Sequence, residues 1–336
     1  MNKFLSGCGV VFLILILIAS VILNIILFAL LAGKNSDYSS TKTALFEEEF
    51  ITGKSNNIHN TIAVIDLTGI ITSDLEGAVE PTALDDYIAQ LRQAREDKNV
   101  KAIILRINSP GGEVTASDTL YHHIKQTRDA KPVVAYLDSI AASGAYYAAV
   151  GATQIIAHEL SVTGSIGVIL QSLTIRELFD KIGIRALTIK SGKMKDLLNP
   201  FRDPQPEEEA FLQAMINETY EKFLSVVTSE RKLDPQNART LADGRIYSGK
   251  QAVENKLIDA IGYFEDAITA AENLAQIKEP RVIRYTAPYD LRRLLRSLSQ
   301  VISQGLSLRL PQAQPLLPPL RPGALYYLPP HLLLTP

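Results

Sequence analysis

The sequence holds one cysteine, Cys8, in 336 residues, so it can form neither an internal disulfide nor a cysteine-based metal site. It also lacks an excess of either charge: 34 Lys and Arg stand against 36 Asp and Glu, a net −2. That balance removes the electrostatic footprint of a nucleic-acid partner. No P-loop, dinucleotide fingerprint, internal repeat or metal-ligand spacing is present, and no cofactor or metal is expected. Histidine is scarce. Of His59, His122, His123, His158 and His331, the first and last lie in linker and tail, and His122 and His123 fall within one helix.

What is present begins with an apolar run over residues 10–32, interrupted only by Ser20 and Asn24. At about 1.5 Å per residue, such a helix crosses a bilayer core with some tilt. A cleaved signal peptide needs a shorter core and small residues at the −3 and −1 positions, which Ala29 to Gly33 do not supply in register. An uncleaved transmembrane anchor is therefore expected. Lys3 before it and Lys34 and Lys42 after it leave its orientation undecided.

Residues 33–57 read as a polar linker containing the acidic run Glu47 to Glu49. Residues 58–285 read as one α/β domain. Apolar strands are expected at 61–67, 101–107, 132–137, 154–157 and 186–190, with helices at 83–97, from 113 to about 127, and at 264–276. This alternation predicts buried, largely parallel strands. A long helix is expected over 206–232, with Pro206 and Glu207 to Glu209 at its start. Phe211, Met215, Phe223, Val226 and Val227 would form its buried stripe. Residues 286–310 read as an amphipathic basic segment, and the Pro/Leu-rich residues 311–336 as an extended tail.

The chemistry centres on Ser143. It lies in the small-residue turn Ala141-Ala-Ser-Gly-Ala-Tyr-Tyr147, between a buried strand and an Ala-rich helix. A serine there is a helix cap or a nucleophile. Gly111 and Gly112 follow another strand end, where they serve either a tight turn or an oxyanion hole. Four residues remain as candidate bases: His158, Lys190, Lys193 and Lys195. A lysine base must be neutral, and lowering its pKa by roughly three units costs about 4 kcal/mol. Ser165, in Thr163-Gly-Ser-Ile-Gly-Val168, could hold a neutral lysine or merely satisfy backbone groups.

Five segments occur in a fixed order: Asn108-Ser-Pro-Gly-Gly112, Ala141 to Tyr147, Thr163 to Val168, Ser191-Gly-Lys-Met-Lys-Asp196 and Ala242-Asp-Gly-Arg-Ile-Tyr247. Together they resemble the short, single-domain signal peptide peptidases of the S49 serine peptidase family, over roughly residues 60–275. The resemblance implies a Clp/crotonase-like α/β fold of repeated β-β-α units behind an N-terminal transmembrane helix. It implies Ser143 as nucleophile, Lys195 as general base, Gly111 or Gly112 as oxyanion donor and Ser165 as the residue orienting the base. It further implies a catalytic domain on the extracytoplasmic side of the cell membrane, signal-peptide remnants as substrates, and a homo-oligomeric ring, an octamer in short forms. Active sites of that ring would combine residues of neighbouring subunits. Met194 departs from the aromatic residue or histidine frequent at its position, and the tail after 310 lies outside the shared core. A catalytically silent membrane scaffold of the same fold is the second reading. The extended apolar tail resembles a substrate and is expected to enter the peptide groove.

Overall fold

The computed structural model describes residues 15–24, 46–73, 82–286 and 326–327. The chain divides into two units, Met1–Ala44 and Leu45–Pro336. In the first, residues 15–24 are helical (α1) and exposed. Among the described residues no helix is long and apolar enough to cross a membrane, and the remainder of the expected 10–32 anchor lies outside them. The basic segment 286–310 also falls outside, except for Thr286.

The second unit is mixed α/β, built on a mostly parallel sheet. Strands β1 (Glu47–Gly53), β10 (Arg281–Thr286), β2 (Thr61–Thr68), β3 (Val100–Ser109), β5 (Val133–Ala142), β6 (Gln154–Ala157) and β9 (Ala260–Ile261) lie side by side in that order. Only β1 runs antiparallel to its neighbour along this path. Beyond β6, strand β7 (Val162–Gly164) continues on the end of β5 and pairs antiparallel with β8 (Ile246–Ser248). A short strand β4 (Gly112–Glu113) stands apart from this sheet.

Both faces of the sheet are covered, which is why its inner strands read as unbroken apolar runs and not as alternating ones. Ala63, Ile65, Ile103 and Leu105 pack with helices α2 (Ala83–Glu96), α3 (Val114–Ala130), α4 (Gly144–Ala149) and α6 (Pro206–Arg231). Ile62, Val64, Ile104 and Val134 face the opposite way, onto Ala267 and Ala271 of α9 (Phe264–Ala275). Helix α2 starts at a capping box in which Thr82 and Asp85 satisfy each other's backbone N–H groups. Its Tyr87 hydroxyl then clasps the end of β2 through the Thr68 N–H and carbonyl. Helix α6 is joined to α3 by Glu230, which accepts from Tyr121, Lys125 and Arg128. Burial alone would raise the Glu230 carboxyl, but those three donors prevail and hold it down to about 2.

Three expectations are corrected. Strand β1 lies inside the stretch read as a linker. Its acidic residues meet arginines of β10, with Glu48 on Arg281 at 2.6 Å, so the ordered unit begins near residue 45. Residues 186–190 form no strand: Leu187 and Ile189 are 86% and 90% exposed, and no neighbouring strand satisfies their backbone. This stretch follows the short helix α5 (Arg176–Lys181) in a mostly exposed segment. In α6, Phe223, Val226 and Val227 are buried as expected, whereas Phe211 and Met215 are exposed because the N-terminal half is not laid on the core.

The helix stops at Arg231, and Asp234 caps the next one, α7 (Pro235–Leu241), by accepting from the Gln236 and Asn237 N–H groups. Helix α8 (Gly249–Glu254) follows β8.

Candidate active site

The carboxyl ends of β3, β5 and β7 meet at one place, where ligands bind in open parallel sheets. Ser143 follows β5 there. Its backbone stands at φ 55° and ψ −118°, a left-handed conformation that costs a non-glycine residue about 1–3 kcal/mol. Two hydrogen bonds hold it. The Ser143 N–H donates to the Gly164 carbonyl of β7, and the Ser143 carbonyl accepts from the Tyr147 N–H to begin α4, both at 2.8 Å. The hydroxyl does not cap the helix, so the ordinary structural role of a serine at this position is not filled. A sharp, strained strand-to-helix turn of this kind aims a nucleophile away from its own backbone.

Gly112 and Gly144 face each other beside it. A methyl group on Gly144 would stand 3.1 Å from Gly112 N and 2.3 Å from Ser117 Oγ; one on Gly112 would meet the Ile71 carbonyl oxygen at 1.8 Å. Neither position admits a side chain without displacement. The Gly111 carbonyl and the Glu113 N–H both bond Ile71, so the N–H of Gly112, between them, faces the opposite edge. The Gly111 N–H donates instead to Ser109 Oγ at 3.2 Å. Of the two glycines singled out in the sequence, Gly112 is the one this geometry leaves as a candidate oxyanion donor. The Gly144 N–H, in the first turn of α4 and without an intrahelical acceptor, is a second candidate donor, which sequence reasoning missed. The available signal was its place directly after the nucleophile.

Ser117 was missed as well, and a polar residue on the buried face of α3 gives no sequence signal. It is fully buried and its hydroxyl has no hydrogen-bond partner among the described residues. Below β4, Glu113 is 6% exposed and accepts from Thr72 Oγ1, Ser73 N and Ser73 Oγ, which fixes the strand's far end.

Ser165 adjoins Gly164 at φ 50°, buried, with its N–H on the Arg245 carbonyl. It therefore sits one residue from the carbonyl that holds Ser143. Among the described residues its hydroxyl makes no hydrogen bond.

The candidate bases separate clearly. His158 Nδ1 accepts from the Leu160 N–H, and its ring lies edge-on to Tyr263, so it serves a turn. Exposed His122 bonds Gln126, and exposed His59 bonds Asn99. Lys190 is paired with Asp196 and Lys193 with Glu207. Lys195 has no hydrogen bond or ion pair through its side chain among the described residues. It is exposed, and among the described residues no hydrogen bond or ion pair joins it to Ser143 or Ser165.

The model for peptidase family S49 matches residues 125–278, and that for Clp protease matches residues 55–192. Both stretches contain Ser143 and Ser165; Lys195 falls in the first alone, Gly111 and Gly112 in the second alone. The chain is 34% identical over 276 residues to a putative signal peptide peptidase SppA of Enterococcus faecium, covering 77% of this chain and 79% of that one. It is 38% identical over 243 residues to putative protease slr0021 of Synechocystis, covering 72% and 84%. The chain belongs to peptidase family S49. It is a serine peptidase. This S49 chain is also 42% identical over 199 residues to putative protease MJ0651 of Methanocaldococcus jannaschii, covering 59% of this chain and 64% of that one. The mostly parallel α/β sheet of this S49 chain is consistent with a Clp-protease-like fold.

Proposed function

We propose that the chain is a membrane-anchored endopeptidase whose Ser143 and Lys195 form a dyad acting on apolar peptides, signal-peptide remnants among them. The observation that carries this reading is the strained, uncapped Ser143 set beside the Gly112 and Gly144 N–H groups. Ser143 Oγ attacks the peptide carbonyl, and neutral Lys195 takes its proton and returns it to the leaving amine. The N–H groups of Gly112 and Gly144 stabilise the developing oxyanion, and the Ser165 hydroxyl orients the lysine.

Lys195 comes from a neighbouring copy of the chain. Two features support this: Lys195 is unpaired among the described residues, and its segment presents Leu187 and Ile189 bare to solvent. A head-to-tail contact repeated around a closed axis gives a ring. The apolar run 10–32 anchors each subunit, with the catalytic unit on the extracytoplasmic side. A relative's name, signal peptide peptidase, supports the substrate class.

A fluorophosphonate probe is expected to label the wild-type protein and to leave Ser143→Ala unlabelled, as resolved by mass spectrometry of the tryptic peptide. An unlabelled wild type would favour the silent scaffold.

The tail has a place in this reading. Residues Tyr326–Tyr327 form a strand, β11, antiparallel to β4, with Tyr327 opposite Gly112. An extended peptide adding to β4 in this way would carry its carbonyl past the oxyanion donors. The tail then competes with substrate. Deleting residues 311–336 is expected to raise kcat/KM for a peptide substrate several-fold; no change, or a loss, overturns the competition.

A further inference from the structure

The exposed segment that carries Lys195 has one tightly held point, and it is the residue next to that lysine. Arg202 grips Asp196 with Nε on Oδ2 and Nη2 on Oδ1, both at 2.8 Å, and its Nη2 also reaches the Asp196 backbone carbonyl at 3.1 Å. On its other side, the same guanidinium holds Glu208 through Nη1 at 2.7 Å and Nη2 at 2.5 Å. Nη1 further donates to the Asp203 carbonyl at 3.1 Å. All five donors of the fork are thereby engaged. The carboxylates at its two ends are nearly enclosed, with side chains 9% and 3% exposed. The Arg202 and Lys190 hydrogen bonds hold the Asp196 carboxyl far below the usual carboxylate range, and Arg202 holds Glu208 down to about 2.

Glu208 is also the third residue of α6 and accepts from the Gln205 N–H in that helix's capping box. Arg202 thus bolts the turn around Lys195 to the start of a 26-residue helix. Further along the same helix, Phe223 packs edge-on against Tyr147 of α4, the helix that begins at Ser143. A continuous line of contacts therefore runs from the nucleophile of a subunit to the turn bearing the lysine that the same subunit presents.

We infer that Arg202 is a positioning residue of the S49 reaction: it fixes the turn bearing Lys195 through the Asp196 carboxylate, which also engages Lys190. This inference rests on Lys195 being the base. Lysine cannot replace Arg202, because an ammonium has no planar fork to engage two carboxylates bidentately. Displacing a catalytic group by about 1 Å costs on the order of 10²-fold in rate.

The test compares wild type, Arg202→Ala, Arg202→Lys and Lys195→Ala as full-length assembled oligomers isolated by gel filtration. Arg202→Ala is expected to lower kcat roughly 10²-fold with KM little changed. The ascending limb of its pH–rate profile should move, because the base is no longer fixed in one setting within the assembled site. Arg202→Lys should behave like Arg202→Ala, and millimolar guanidinium should partly restore Arg202→Ala alone. An assembled Arg202→Ala enzyme with wild-type kcat and an unmoved limb overturns the inference, as does a lowered kcat with an unmoved limb and no guanidinium rescue, which marks a merely structural arginine. If Arg202→Ala does not assemble, Glu208→Gln loosens the fork from its outer side and decides the matter: a shifted limb supports the inference and an unmoved one overturns it. Activity retained in Lys195→Ala is a separate outcome, since it removes the base itself.

Discussion

Ser143→Ala and Lys195→Ala proteins, each inactive alone, are expected to regain peptidase activity when co-expressed and assembled together. Either substitution alone should lower kcat by at least ~10³-fold, since removing a nucleophile or its base leaves only binding and the oxyanion hole. The recovery follows from the different settings of the two residues. Ser143 is 1% exposed at the end of β5, whereas Lys195 stands in solvent on a segment with bare apolar side chains. If a site takes its serine from one subunit and its lysine from the next, random mixing around a ring leaves about a quarter of the sites with both. The measurement is hydrolysis of a fluorogenic apolar peptide by the purified mixed oligomer, with each single variant as control. A mixed oligomer as inactive as its parents would show that the two residues belong to one subunit or that Lys195 is not the base.

Gly144→Ala is expected to lower kcat about 10²-fold while leaving KM near its wild-type value, the loss typical of one misplaced oxyanion donor. The added methyl would stand 2.3 Å from Ser117 Oγ and 3.1 Å from Gly112 N. It therefore separates the two N–H groups that must converge on one oxygen. Overpacking also costs about 1–3 kcal/mol of stability, which thermal unfolding reads separately from activity. Gly144→Ala combined with Ser117→Ala removes the nearer clash and should recover part of both losses. A Gly144→Ala enzyme with wild-type kcat would place the oxyanion hole elsewhere.

Much of the fold was legible because its inner strands are buried on both faces. Residues 61–67, 101–107 and 154–157 could be read as apolar runs and became β2, β3 and β6. The long helix was legible from Pro206 and the acidic residues behind it. The failures share a cause: pairing depends on what lies opposite, which no local window contains. Glu47 to Glu49 look like linker until β10, from the far end of the chain, brings Arg281 and Arg284 beside them. Ala186 to Lys190 look like a strand, but no edge is there to receive them. At the site, the turn holding Ser143 and the Gly-Gly pair could both be located in the sequence. Their convergence could not, because it requires α3 and α4 to press Ser117 against Gly144. Lys195 was singled out from Lys190 and Lys193 by the family resemblance alone, and the ion pairs that engage the other two form only in the folded segment.

Strand β4 has a consequence for which chains can be cut. It offers a partner only two residues of backbone, Gly112 and Glu113, and that edge is filled by pairing with another extended main chain. A segment whose N–H and carbonyl groups are already bonded within a helix or a sheet has nothing to offer this edge. Selection then falls on the conformational state of the polypeptide before its sequence. Under the proposed function, a folded protein would be passed over for want of free backbone, and a fragment too short to fold would be taken.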